Sequence, residues 1–113
     1  MDAKMLKAVK GSIKKWEKIV RSTKAVDRGG YNCPLCELYW VGLVDECFGC
    51  PIRNKTGRGG CMKTPFCDWT THHRKLHEMT NYPIHRVAGC KDCLTLAKRE
   101  RDFLKGLLPK EVE

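Results

Sequence analysis

The sequence has no long hydrophobic segment. No stretch approaches the roughly 18 consecutive apolar residues of a membrane-spanning helix, and lysines interrupt the apolar residues that follow Met1. The N-terminal segment also lacks the apolar core, about 7–15 residues long, of a secretory signal peptide. We therefore expect no membrane partner and a cytoplasmic location, where thiols stay reduced. There the eight cysteines favour metal binding over disulfides, although the intracellular disulfides of hyperthermophiles keep the second alternative open.

Acidic residues are scarce. The chain has 22 Lys and Arg against 13 Asp and Glu, which gives a net charge of +9. Nine basic and three acidic residues lie before residue 29, so the first quarter of the chain carries +6 of this excess. Such a charge balance favours polyanionic partners. It predicts nucleic-acid binding, with an acidic protein partner or a merely solvated basic face as alternatives.

The chain is too short to bury a large core. Its 113 residues fit one domain, and so small a core gains much from a metal ion or from disulfides. We predict a single zinc-binding domain over residues 1–113. It consists of a basic amphipathic helix within residues 1–28, a cysteine-rich core over residues 31–93 and a C-terminal helix over residues 92–109.

Two helices are indicated by capping signals and by the spacing of apolar residues. Thr64 followed by Pro65 is typical of a helix start, and the residues that follow predict a helix over about 65–79. Near the N-terminus, apolar residues recur at helical spacing over residues 4–22. They are Met5, Leu6, Val9, Ile13, Trp16, Ile19 and Val20.

The rest of the chain predicts one more helix and a small β-structure. The last helix is expected to start near Cys90 or Asp92 and to end at Pro109. Residues 38–44 are rich in strand-forming side chains around Gly42, which favours two short strands or a bent hairpin. The expected fold class is therefore a small α+β, zinc-stabilised domain, in which amphipathic helices flank a zinc-knuckle hairpin.

Two Cys-x-x-Cys pairs form the clearest motif. Cys33 and Cys36 are separated by ten residues from Cys47 and Cys50. Each pair can form a tight turn that directs both sulfurs at one ion, and two such turns complete a tetrahedral zinc site with Zn–S bonds of about 2.3 Å. Because protein fills all four positions, the predicted site is structural. Disulfides and an iron–sulfur cluster are the alternatives.

A second zinc site is predicted in the C-terminal half. Two histidines four residues apart share one helix face, and a Cys-x-x-Cys pair follows twelve residues later. Alternatively, the first histidine packs in the core and the second lies on the surface. Two further cysteines, Cys61 and Cys67, could pair with each other, replace the histidines or remain free thiols. The predicted ligands are His73, His77, Cys90 and Cys93.

Candidate phosphate contacts follow from the basic residues. A glycine-rich loop over residues 53–60 is also basic, but it lacks the Lys-Ser or Lys-Thr ending of a phosphate-binding P-loop. The predicted nucleic-acid contacts are Lys7, Lys10, Lys14, Lys18, Arg21, Arg53, Lys55 and Arg58.

An enzymatic alternative is a metal-dependent nuclease. His72, His73 and His77 with Asp68 could supply a metal site and a general base. The carboxylates are few and scattered, however, and there is no His-Glu-x-x-His motif. We therefore predict that the protein is not an enzyme.

The cysteine pairs and several short motifs resemble those of small cysteine-rich proteins encoded by bacteriophages and archaeal viruses. That group has no assigned activity, so the resemblance implies only an intracellular viral origin, including the cytoplasm of a viral host. The second predicted metal site lies outside the shared pattern. The residues that carry the resemblance are Asn32–Cys36, Cys47–Ile52, Thr56-Gly57, Gly60-Cys61, Thr64–Phe66 and Phe103–Pro109.

Overall fold

Three α-helices make up the regular structure of the residues that the computed structural model describes, which are residues 3–28, Pro34 and residues 64–108. Helix α1 spans Ala3–Arg21, α2 spans Pro65–Leu76 and α3 spans Lys91–Lys105. Helix α3 packs against both α1 and α2. Within this part of the chain, no helix has the length and apolar character needed to cross a membrane.

Helix α1 buries the apolar stripe that the sequence predicts. Val9 and Ile19 are fully buried, and Ile13 and Trp16 are nearly so. Small residues of α1 lie on the same buried face, which lets α3 approach closely. At Gly11 an added Cβ would lie 3.0 Å from the Pro34 side chain, so the glycine permits this close contact.

Helix α2 begins as its sequence predicts. The Thr64 hydroxyl accepts a hydrogen bond from the backbone N–H of Phe66 at 3.2 Å, and Pro65 occupies the first turn, where its missing N–H costs nothing. The helix ends at Leu76, earlier than the predicted residue 79. The following turn places Glu78 at φ 56°, in the left-handed region that ends helices.

The core is built from aromatic rings at the crossing of α1 and α2. The rings of Trp16 and Trp69 meet edge to face with centroids 5.1 Å apart, and Trp16 meets Phe66 in the same manner at 6.1 Å. Helix α3 covers this layer with Leu96 and Ala97. Aromatic pairs of this kind add about 0.5–1.5 kcal/mol each beyond the area they bury.

A buried polar group ties three segments together beside the tryptophans. Asp27 is fully buried, and its carboxylate accepts hydrogen bonds from Lys15 Nζ at 2.8 Å and from Trp69 Nε1 at 3.1 Å. Its backbone exchanges two hydrogen bonds with Ile84, at 2.7 and 2.8 Å, in an isolated antiparallel bridge. This network, hereafter the Asp27 node, fixes the chain after α1 to α2 and to the segment before α3.

The α+β prediction is wrong. The described residues form three helices and no strand, and their only β-type pairing is the bridge between Asp27 and Ile84. Helices were expected to flank a knuckle hairpin, but α1 and α3 instead pack directly on each other around tryptophan rings. Two large aromatic side chains supply enough apolar surface for helix-on-helix packing. The residues that predicted strands, 38–44, lie outside the described residues.

Candidate metal centre

Four side chains with metal-binding atoms converge where α2 ends and α3 begins. They belong to His72, His77, Cys90 and Cys93, and one ligand atom from each lies within 4.8 Å of all the others. Cys93 is fully buried, whereas the other three are partly buried. This group, hereafter the His/Cys cluster, lies close enough together to bind a single metal ion.

The histidines are placed by the last turn of α2 and the chain reversal that follows. His72 lies within the helix, and His77 is its C-terminal cap, with φ −122°. The carbonyl of His73 accepts hydrogen bonds from the backbone N–H groups of both His77, at 3.1 Å, and Met79, at 2.9 Å. This closed turn swings His77 off the helical path, so that its ring approaches His72 with centroids 4.9 Å apart.

The cysteines are placed by a tight turn and the first turn of α3. Cys90 N–H donates to the Val87 carbonyl at 3.0 Å, and Gly89 sits at φ +86°, a conformation that glycine adopts without strain. Cys90 is the N-cap of α3, and Cys93 lies in its first turn. The Cys-x-x-Cys spacing therefore presents both sulfurs on the side of α3 that faces α2.

The spacing of the donor atoms fits tetrahedral coordination. Bonds of about 2.3 Å to sulfur and 2.0–2.1 Å to nitrogen imply an S···N separation of roughly 3.5 Å across a tetrahedral zinc site. His72 Nε2 lies 3.5 Å from both Cys90 Sγ and Cys93 Sγ. His77 Nε2 lies 3.4 Å from Cys93 Sγ. These three S···N separations match the corresponding edges of a ligand tetrahedron.

Protonation within the site favours metal binding over thiol catalysis. Burial is the main cause that raises the pKa of Cys93 to about 11, and its neighbour Cys90 contributes in the same direction. A nucleophilic or redox-active cysteine needs a lowered pKa, so Cys93 is poorly suited to either role. A bound cation would supply the stabilisation that its thiolate otherwise lacks.

A third histidine lies directly beneath the cluster. His73 is fully buried, its Nδ1 lies 2.8 Å from the carbonyl oxygen of Trp69, and its Nε2 lies 3.4 Å from Cys93 Sγ. Burial lowers the pKa of His73, and the hydrogen bond to Trp69 opposes this effect in part. The ring is therefore neutral near pH 7, as a metal-binding imidazole must be.

Three of the four ligands predicted for the second site belong to the observed cluster. His77, Cys90 and Cys93 lie in the His/Cys cluster, whereas His72 occupies the place predicted for His73. The prediction placed both histidines on one helix face at a spacing of four. Because α2 ends before His77, the residue one position earlier than predicted reaches both sulfurs.

The other candidate metal ligands divide into those outside the described residues and those within them. Cys33, Cys36, Cys47 and Cys50 lie outside the described residues, and so does Cys61. Among the cysteines that the structure describes, Cys67 is exposed, and Cys67, Cys90 and Cys93 are all free of disulfides. Asp68, proposed for the nuclease alternative, is exposed in the first turn of α2 and does not belong to the cluster.

The predicted phosphate contacts fall into two groups. Those on α1 are all exposed and lie along one side of the helix; they are Lys7, Lys10, Lys14, Lys18 and Arg21. Arg53, Lys55 and Arg58 lie outside the described residues.

Two features of the structure were not predicted from the sequence: the place of His72 in the His/Cys cluster and a buried ion pair near the core. His72 had been considered only for the nuclease alternative, although its position in a His-His pair one turn before the helix end was a visible signal. The second contributor is the buried ion pair between Asp27 and Lys15. Nothing in the local sequence pairs them, because they are twelve positions apart and meet only in the tertiary structure.

No protein-family model matches the chain, and neither does any curated protein or solved structure.

Proposed function

We propose that the His/Cys cluster binds a structural zinc ion that joins α2 to α3. The proposal rests on the convergence of two imidazoles and two thiols within 4.8 Å. Soft thiolates combined with imidazoles are typical ligands of zinc in tetrahedral sites. Four protein donors leave no open position for water, so the ion stabilises the fold and performs no hydrolysis.

The proposed ion links the C-terminal end of α2 to the start of α3. The two cysteines lie at the start of α3 and the two histidines at the end of α2. One ion would therefore bind the end of one helix and the start of the next. Zinc binding in small domains contributes apparent free energies of about 10 kcal/mol or more. Removal of the ion should therefore loosen the α2–α3 contact first.

The test is a count of bound zinc in matched cysteine variants. Cys93→Ser should lower the zinc content by one ion per chain and abolish the thiolate-to-cobalt charge-transfer band of the Co²⁺-substituted site, because a buried ligand is lost. Cys67→Ser changes an exposed thiol outside the cluster and should leave both unchanged. Equal zinc content in the two variants, or iron in place of zinc in the native protein, would refute the proposal.

We further propose that α1 binds nucleic acid through a basic face, defined here as the exposed residues Lys4, Lys7, Lys10, Lys14, Lys18 and Arg21. At 100° per residue these six cations lie within an arc of about 120°, and they extend along about 26 Å of helix. All are exposed. Among the described residues, the only acidic partner in an ion pair with this face is Glu17, 3.9 Å from Arg21.

The chemistry of this face favours a phosphate backbone over other acidic partners. Protein interfaces concentrate binding energy in buried aromatic and apolar anchors. The exposed large hydrophobic residues of the described chain, Leu76 and Tyr82, are not part of α1. A membrane surface would require the apolar stripe of α1, which is already buried against α3. A row of cations alone matches regularly spaced phosphates.

The salt dependence of binding distinguishes phosphate contacts made by this face from a general attraction between a basic protein and nucleic acid. Lys7→Gln/Lys14→Gln should reduce affinity for duplex DNA or RNA and lower the slope of log affinity against log salt by about 2, since about 0.9 is lost per phosphate contact. The matched control is Lys98→Gln/Arg99→Gln, which removes two exposed cations from α3 and should retain the slope.

Three outcomes would count against nucleic-acid binding through α1. The first is the same loss of affinity in both double variants, which would indicate unspecific charge attraction. The second is a native affinity that does not change with salt. The third is capture of an acidic protein that survives nuclease treatment, which would assign the basic face to a protein partner.

A further inference from the structure

The metal centre has more donors than a tetrahedral ion needs. Three imidazole nitrogens lie at nearly the same distance from Cys93 Sγ: His72 Nε2 at 3.5 Å, His73 Nε2 at 3.4 Å and His77 Nε2 at 3.4 Å. Cys93 Sγ thus has one more imidazole neighbour than the two that belong to the His/Cys cluster, and this extra neighbour is His73. Structural zinc binds four ligand atoms.

The hydrogen bonding of His73 is that of a metal ligand. The carbonyl oxygen of Trp69 can only accept, so His73 Nδ1 carries the proton and donates it at 2.8 Å. The neutral ring then presents an unprotonated Nε2 to the cluster. Ligating histidines almost always donate their other ring N–H to a carbonyl or carboxylate in this way, which fixes the tautomer and the ring orientation.

Burial restricts what this Nε2 can bind. His73 is fully buried, so water is not an available partner. A Cys93 thiol could donate to Nε2, but a metal-bound Cys93 is a thiolate without a proton. A lone pair facing a thiolate at 3.4 Å is unfavourable, whereas a nearby cation would satisfy both atoms.

We infer that His73 is a reserve ligand: the proposed zinc ion is held by Cys90, Cys93, His77 and either His72 or His73, so that loss of His72 leaves a four-coordinate site. This inference rests on the proposed zinc centre. His72 is the partly exposed member of the pair, and His73 is the buried one with a fixed ring.

The experiment compares His72→Ala with His77→Ala in the full chain. His72→Ala should keep its zinc with an affinity within about tenfold of the native protein, and its Co²⁺ form should keep the spectrum of a four-coordinate site with two nitrogens and two sulfurs. His77→Ala leaves only His72 and His73, which the inference assigns to one shared coordination position, so it should lose affinity by more than about 100-fold. Adding His73→Gln to His72→Ala should cause the same large loss.

A second readout identifies the nitrogen directly and does not depend on replacing the buried His73. Nitrogen-15 spectra of zinc-loaded His72→Ala should show His73 with a metal-bound Nε2 and a protonated Nδ1. His85 lies outside the cluster and provides an unligated reference in the same spectrum.

The possible results separate the inference from the proposed function. If His72→Ala loses zinc as completely as His77→Ala, or keeps it with a water ligand while the His73 signal resembles that of His85, the reserve ligand is refuted and the zinc centre stands. If the native protein binds no metal at this cluster, the zinc centre itself fails.

Discussion

Two buried polar clusters join the helices of this protein, and they differ in how their atoms are satisfied. At the Asp27 node, Lys15, Trp69 and Ile84 supply the partners of a buried carboxylate and its backbone. In the His/Cys cluster, two thiols and two imidazoles face one another, and Arg86 is a charged side chain that acts on Cys93. The first cluster is complete with protein atoms, whereas we propose that a metal cation completes the second.

The two clusters should therefore respond to different perturbations. A buried ion pair with extra hydrogen bonds is sensitive to loss of one partner, because the remaining charge is left without compensation. A thiolate metal site is sensitive to protons and to chelators, because both compete for the same atoms. Helix α2 takes part in both clusters, through Trp69 in one and His72 in the other.

Asp27→Asn, a change at the Asp27 node, is expected to have the largest effect on stability. The substitution keeps the shape of the side chain but leaves the Lys15 ammonium, whose side chain is only 10% exposed, without its anion. We expect a loss of about 3–5 kcal/mol in the free energy of unfolding. Urea unfolding of the zinc-loaded protein measures this loss, and the zinc content should not change.

Glu17→Gln is the matched control for this change. It removes the acidic partner of a surface pair, in which Glu17 is 40% exposed and lies 3.9 Å from Arg21. Such pairs contribute about 0–1 kcal/mol, so the variant should unfold nearly as the native protein does. An Asp27→Asn variant as stable as Glu17→Gln, or one that loses zinc, would break the distinction between the two clusters.

A smaller effect is expected when the pH is changed, and it should alter only the zinc affinity of the His/Cys cluster. Because the pKa of the Cys93 thiol is raised to about 11, this group is protonated at neutral pH and must release its proton when the metal binds. Apparent zinc affinity should therefore rise with pH, by about tenfold per unit between pH 6 and 8 from this proton alone. Competition with a chromophoric chelator measures the slope.

The stability of the metal-free fold changes with pH in the opposite direction to the zinc affinity. A raised thiol pKa stabilises the metal-free folded state fully below pH 9.0, the ordinary value, and this contribution is lost as the pH rises towards 11. Zinc binding instead strengthens as the pH rises through the neutral range. A zinc affinity that stays constant between pH 6 and 8 would show that Cys93 is not a ligand.

Local sequence signals predicted the helices well. The apolar stripe predicted a helix over residues 4–22, and α1 spans Ala3–Arg21. The Thr64 cap and Pro65 start α2 as expected, because a cap depends only on residues within one turn. The end of α2 was predicted less well, since the left-handed Glu78 carries no residue type that announces it.

The candidate site was predicted only in outline. Two cysteines at Cys-x-x-Cys spacing and His77 are part of the cluster, because their local spacing reflects the turns that carry them. The choice between His72 and His73 depends on where α2 ends and how α3 lies against it. A shift of one residue rotates a side chain by 100° around a helix axis, so a small error in the predicted helix end selects the neighbouring histidine.

The sequence by itself determined the positions of the three helices, the excess of positive charge on α1 and the presence of soft metal ligands near the chain reversals. These properties depend on residue type and on spacing within a few residues. Only the tertiary structure decided that Lys15 turns inward to Asp27, that tryptophan rings form the core, and which imidazoles meet Cys93. Those pairings join residues from 12 to 53 positions apart, and packing of whole helices brings them together.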